Sequence, residues 1–310
     1  MTTITNKGNS STKVKEKHSW SLDQRIIPYL FISPFFITFC LFFLGPALFA
    51  IYASFNNWSL LGGMDFIGLK NFIVLFQDDT FWQSFFNTII YNLAGLVIQW
   101  PLALLLAVIL NQKFLAGKKF FRPVFFIPAL TSSVVVAIMF TLFLDKDYGL
   151  FNVPLLSLGL KPIDWLGTRE MSKFAVILLL AWRWTGYNMV IFLAGLQAIP
   201  QDLYEAAWVD GANKIKSFFH ITLPLLRPTI AYVMIIGFIG GWQLFDEPWI
   251  LTKGGPSDSS LSLGNFLYRV SIQNLRMGYG SALGVCLFLL LFGLTLVQMR
   301  VFNINREVES

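Results

Sequence analysis

The sequence predicts an all-α polytopic membrane protein with six transmembrane helices. Three observations carry that expectation. Charged residues make up only 13% of the 310 positions, about half of the roughly 25% usual in a soluble domain. Mean hydropathy is +0.63, and the 32 Phe and 10 Trp suit lipid-facing surfaces and interfacial belts. Six apolar runs lie near 29–53, 87–110, 121–144, 173–199, 227–250 and 280–302. Each is long enough for a hydrocarbon core that takes about 20 residues to cross.

The elements follow in order. Residues 1–26 form a basic, polar N-terminal tail, and 1–22, dominated by Thr, Ser, Asn and Lys, are expected to be disordered. The first run is too long for a signal-peptide core and has no clear small-residue cleavage site, so it is read as a retained anchor. The distribution of Lys and Arg sets orientation. With the N-terminus inside, 14 of the 23 basic residues fall in inner segments and eight in outer ones, with Arg183 inside a span. The short loop bearing Lys113, Lys118, Lys119 and Arg122 is the strongest local support. Both termini, including the 303–310 tail, are then cytoplasmic. The permease domain covers 27–302, and the polar hairpin 201–224 faces the cytoplasm. The outer segments 54–86, 145–172 and 251–279 hold turn residues and apolar anchors such as Trp58, Trp165 and Phe266, which predict short interfacial helices.

Other classes are disfavoured. The formal charge of +6 sits beside membrane spans, which points to lipid and not to nucleic acid. Cys40 and Cys286 lie inside apolar runs as small hydrophobes, and His18 and His220 are too far apart for a metal cluster. No G-x-x-x-x-G-K-[ST] occurs, so this chain is not expected to bind ATP.

The stretch EAAWVDGANKIKSFFHITLPLLRP at 205–228 is the most informative in the chain. Pro200 suits a first helical turn, and Asp202 and Glu205 favour its positive end. Leu203, Ala206, Ala207 and Trp208 continue the helix, and Gly211 supplies a bend. Ile215, Phe218 and Phe219 recur at i, i+3, i+4 as one apolar stripe, and Pro224 and Pro228 punctuate the entry to the next span. On physical grounds alone this is either an interfacial loop or a helical hairpin gripped by a partner outside the bilayer.

The residues Glu205, Ala206, Ala207, Asp210, Gly211, Ala212, Ile221, Leu223 and Pro224 resemble, at matching spacing, the cytoplasmic coupling loop of ABC importer permeases. FRPVFFIPALTSSVVVAIMF at 121–140, WRWTGYNMVIFLAGLQAIPQDLYEAA at 182–207, LTKGGPSDSSLSLGNFLYR at 251–269 and MGYGSALGVCLFLL at 277–290 extend the likeness over residues 25–302. Together they resemble the carbohydrate-uptake, maltose-type group on the first-permease side. The maltose prototype's extra N-terminal spans and large outer insertion are missing, which brings the chain nearer to compact six-span permeases for glycerol-3-phosphate, arabino-oligosaccharides, lactose or cellobiose.

The resemblance implies a type I importer fold and a prokaryotic cell membrane. It implies a heterodimer with a sister permease, a separate ATPase dimer that binds ATP and Mg, and an extracytoplasmic sugar-binding protein. It also implies that the ATPase grips the hairpin at Glu205, Ala206, Ala207, Asp210, Gly211 and Ala212, with Phe218 seating it. The sugar itself is left open, with a neutral di- or oligosaccharide favoured because Arg183 is the lone intramembrane cation.

Polar side chains within spans are functional candidates. Arg183 and Asp246 fall at comparable depths, about 24 and 27 Å from the inner ends of their runs at the usual helical rise. Arg183 is expected to pair with Asp246 or Glu247, Asp246 being the first choice, either to fix two helices or to line the pathway. Asn188, Gln243, Glu247, Trp242 and Tyr187, with Gln99 and Asn92, form a polar and aromatic set suited to sugar. Gly237, Gly240 and Gly241 would allow close approach to the fifth span, and Thr131, Ser132 and Ser133 read as interhelical hydrogen-bonders. An ion-coupled secondary transporter would need an intramembrane acid pair or a broken-helix ion site, and Asp246 with Glu247 is the only clustered pair of acids in a span. A membrane enzyme has no His/Asp or Ser/His set at one depth to support it.

Overall fold

A computed structural model of the chain describes residues 26–60, 62–112 and 116–302. The tails at 1–25 and 303–310, including the expected disorder of 1–22, lie outside the described residues. Packing divides the chain into two units, residues 1–49 and 50–310.

In the first unit the described chain is helical from Pro28 onward, within a helix that extends to Ser54. Pro34 has no N–H to give to the Leu30 carbonyl. The Ser33 hydroxyl donates to that carbonyl instead, at 2.8 Å, and so satisfies a group that lipid could not.

Among the described residues the second unit is mainly helical, with one two-stranded hairpin, Asn56–Trp58 against Met64–Phe66. Helices Asp79–Asn111, Arg169–Gln197 and Met277–Phe302 are each long and apolar enough to span a bilayer. Together with Pro28–Ser54 they make four such helices among the described residues, and two bent pairs bring the number to six. One pair is Lys118–Leu130 with Ser133–Phe143, bent by 99°; the other is Lys214–Leu225 with Arg227–Trp242, bent by 62°. Short helices Lys70–Gln77, Val153–Ser157 and Leu263–Tyr268 lie in segments 54–86, 145–172 and 251–279.

Three boundaries differ from the sequence reading, each for a local reason. The second span begins at Asp79 because the Asp78 carboxylate accepts from the Thr80 N–H at 2.8 Å and caps the helix. The third run is not one rod. Thr131 and Ser132 adopt extended ψ of 146° and 134°, which breaks the run between 130 and 133. The fifth run stops at Trp242, and Gln243–Phe245 lead into a separate short helix, Asp246–Thr252.

Buried apolar side chains gather in three clusters. Trp100, Ala103 and Ala107 meet Met189, Phe192 and Leu196. Val136, Phe140 and Leu144 meet Val176, Leu179 and Leu251. Phe81 and Trp242 meet Leu261, Phe266, Tyr279 and Leu283. Residues 260–263 are sewn to the second span by buried polar groups. Asn87 Nδ2 donates to the Leu261 carbonyl at 3.0 Å and Tyr91 Oη to the Ser260 carbonyl at 2.9 Å. The Leu263 N–H donates to Thr88 Oγ1 at 2.9 Å.

Glycines bring the backbones together. A Cβ on Gly186 would fall 1.6 Å from the Phe125 carbonyl oxygen, one on Gly237 2.6 Å from the Trp100 ring, and one on Gly241 2.3 Å from Asn92 Oδ1. The fifth helix therefore approaches the second at Gly237 and Gly241, as expected. Gly240 has nothing within 4 Å of its would-be Cβ and borders open space instead.

Candidate functional site

That open space is a cavity of about 620 Å³. Its wall comes from five elements. Helix 79–111 contributes Tyr91, Asn92, Gln99 and Trp100, and it widens to π-helical geometry at Gly95–Gln99 beside the cavity. Helix 169–197 contributes Arg183, Trp184, Tyr187 and Asn188. The broken third run contributes Ser133, helix 227–242 contributes Gly240, and the segment after it leads through Gln243 and Phe245 into the short helix that contributes Asp246 and Glu247. Carboxamides alternate with aromatic faces around one space, which is how a polyol with an apolar ring face is usually held.

The structure therefore brings Asn188, Gln243, Glu247 and Tyr187 onto one wall, with Gln99 and Asn92. Trp242 is not on it. This side chain is 4% exposed and turns the other way, against Phe85 at 5.3 Å between ring centroids. The helix ends at Trp242, so its neighbours Gly241 and Gln243 face the cavity while the indole enters the core.

The intramembrane charge pair also differs from the first choice. Arg183 Nη1 donates to Glu247 Oε1, and Asp246 Oδ2 instead accepts from Ser133 Oγ. The reason is helical. Asp246 and Glu247 are successive residues in one first turn, about 100° apart around the axis, so a single guanidinium cannot serve both. Glu247 is 5% and Arg183 9% exposed. Trp184 Nε1 donates to the same Glu247 oxygen at 3.4 Å, and its ring lies 4.9 Å from Arg183 Cζ. Arg183 Nη2 donates to the Thr131 carbonyl at 3.3 Å, at the break in the third run. One guanidinium thus ties three elements together, and it takes up a carbonyl at the end of helix 118–130, where a cation is favoured. Ser133 fulfils the expected interhelical role through Asp246. The Thr131 hydroxyl instead bonds back to the Ile127 carbonyl of its own helix.

The hairpin forms a second site. Helix Gln201–Val209 ends in a six-to-one bond from the Ala212 N–H to the Ala207 carbonyl at 2.8 Å and a five-to-two bond from the Gly211 N–H to the Trp208 carbonyl at 3.1 Å. This termination needs a left-handed residue at Gly211, whose φ is +77°. Asn213 then caps the next helix by accepting from the Lys216 N–H at 2.8 Å. Tyr204 Oη and Thr222 Oγ1, 2.8 Å apart, close the hairpin. Glu205, Ala206, Asp210 and Gly211 are exposed, Ala207 and Ala212 half-buried. Of the predicted stripe, Ile215 and Phe219 are exposed and Phe218 is half-buried. Leu203, Trp208 and Val209 add further exposed apolar surface, Val209 at 88%.

Residues 99–303, which take in much of the cavity wall and the whole hairpin, match the family described as binding-protein-dependent transport system inner membrane component. The chain belongs to that family. This permease is therefore the membrane component of an ABC importer and not an enzyme. It is 39% identical to the arabinooligosaccharides transport system permease protein AraP of Bacillus subtilis over 280 residues, covering 90% of this chain and 89% of AraP. It is 34% identical to the trehalose/maltose transport system permease protein MalF of Thermococcus litoralis, over 90% of this chain and 94% of that one. A chain in the crystal structure of a bacterial ABC transporter involved in the import of the acidic polysaccharide alginate superposes with a TM-score of 0.80. The two are 26% identical, and the match covers 90% of the permease and 96% of that chain.

Proposed function

We propose that the permease forms one half of the translocation pathway of an ATP-driven saccharide importer, paired with a sister permease. An ATPase dimer would grip the 201–224 hairpin on the cytoplasmic side, and a saccharide would be delivered from outside by a binding protein. The observation that carries this reading is the hairpin, a two-helix element closed by the Tyr204–Thr222 hydrogen bond, which exposes Trp208, Val209, Ile215 and Phe219 beside the acids Glu205 and Asp210. Exposed apolar surface rimmed by charge marks a docking site. The cavity supports the cargo assignment, since Asn188, Gln243, Gln99 and Tyr187 offer both donors and acceptors to hydroxyls. The relatives named for arabinooligosaccharides and for trehalose and maltose agree with a saccharide. The alginate importer, solved in complex with an alginate pentasaccharide-bound periplasmic protein, agrees with external delivery. The excess of Lys and Arg on the inner segments supports cytoplasmic termini and a cytoplasmic hairpin.

Co-purification with the ATPase tests the reading. Gly211→Pro removes the N–H that reaches the Trp208 carbonyl and demands φ near −65° where the backbone holds +77°. Glu205→Lys reverses an exposed charge. Both variants are expected to lose the ATPase while keeping the sister permease, and capture at native levels by both would remove the hairpin from the interface.

A further inference from the structure

The cavity carries one formal charge that no ion pair absorbs. Arg183 and Glu247 neutralise each other, whereas Asp246 is held by the Ser133 hydroxyl, a hydrogen-bond donor without a countercharge. No other Lys, Arg, His, Asp or Glu is on the wall among the described residues. Asp246 is only half-buried, so its carboxylate is open to whatever enters.

Resting on the saccharide-import reading above, we propose that Asp246 is a specificity-determining residue that makes this wall accept uncharged saccharides and reject uronates and other anionic sugars. An ionised carboxylate is acceptor-only. A sugar hydroxyl can donate to it and can exchange hydrogen bonds with Gln243, Asn188 and Gln99 in either direction. A uronate carboxylate has no proton to offer Asp246, and the one cation within reach, Arg183, is already spent on Glu247 and the Thr131 carbonyl. Repulsion between like charges strengthens as water is excluded, and an unfavourable charge contact is an effective way to refuse a competing ligand. A chain of the same fold belongs to a transporter that imports an acidic polysaccharide. Backbone architecture therefore does not set the charge of the cargo, which leaves that discrimination to side chains on the wall and to the binding protein that delivers the sugar.

The test is direct saccharide binding to the purified complex with its sister permease and ATPase, by calorimetry. A panel of uncharged pentose and hexose oligosaccharides is compared with oligogalacturonates of equal length. The native complex is expected to bind a member of the uncharged set at least tenfold more tightly than any uronate. Asp246→Asn, which is isosteric, should lower that ratio about tenfold, and Asp246→Lys should lower it further. Melting curves of both variants confirm folding. Equal native affinity for the two sets, or an unchanged ratio in both variants, overturns the role of Asp246 and leaves saccharide import standing. Failure of the native complex to bind any member of either set overturns the cavity as a saccharide site, and Asp246 with it, whereas saccharide import itself is read separately, from uptake into proteoliposomes that also hold the binding protein.

Discussion

Glu247→Ala and Arg183→Ala are each expected to destabilise the permease by about 3–5 kcal/mol, the usual cost of leaving one buried charge without its partner. The pair is 5% and 9% exposed, and Arg183 also holds the Thr131 carbonyl, so its loss unties the break in the third run as well. The double variant Arg183→Met with Glu247→Leu should recover much of that stability, because well-packed apolar side chains often replace a buried ion pair at little cost. Asp246→Asn should cost far less, since its carboxylate holds only a serine hydroxyl. Thermal melts of the detergent-solubilised complex decide the matter. Single variants that melt like the native protein, or an Asp246 variant as damaged as the Glu247 variant, would show that the pairing has been misread.

Gly186→Leu is expected to be the most disruptive single substitution in the membrane domain. Even the first carbon of any side chain there would lie 1.6 Å from the Phe125 carbonyl oxygen, and that atom belongs to a backbone that cannot rotate away. Helix 118–130 would have to retreat from helix 169–197 by more than an ångström, and an overpacked interface commonly loses 1–3 kcal/mol or more. Gly186→Ala should lower the melting temperature clearly, and Gly186→Leu should abolish a folded peak in size-exclusion chromatography. Gly240→Ala, with nothing within 4 Å of its Cβ, is the matched control and should elute as native. A native-like Gly186→Leu protein would mean that the two helices are not in contact there.

Much of this architecture is legible in the sequence because lipid imposes one rule on every span. Apolar length alone locates Arg169–Gln197 and Met277–Phe302 to within a few residues. The breaks are harder to read, although the letters carry signals. Pro128 lies three residues before Thr131, and the polar triplet Thr131–Ser133 interrupts an apolar run. Both were compatible with a continuous helix in which hydroxyls bond back to carbonyls, as Thr131 in fact does. Asp246, Glu247 and Pro248 have the composition of a helical first turn, yet inside a long apolar run they read as charges within a span. The partner of Arg183 is legible only as one of two adjacent acids, and the first choice, Asp246, is not the one it takes. It depends on which of two adjacent acids faces helix 169–197, and that phase is set by where the short helix begins. The same phase problem hid the inward turn of Trp242. The hairpin is the most legible part, since Gly211 and the prolines each act within a few residues of themselves, although the cap at Asn213 is seen only in the structure.

The 62° bend between Lys214–Leu225 and Arg227–Trp242 gives the permease an elbow. Leu226 at the bend is fully buried, which suits a fulcrum. The inner arm is the second half of the hairpin, and the outer arm of 16 residues reaches about 24 Å at the usual rise. A rotation of about 10° around that fulcrum would carry Gln243, at the tip of the outer arm, sideways by about 4 Å over a lever of this length. On the importer reading proposed above, a small tilt of the hairpin would then shift Gln243 against the opposite wall of the cavity by a distance on the scale of a hydrogen bond.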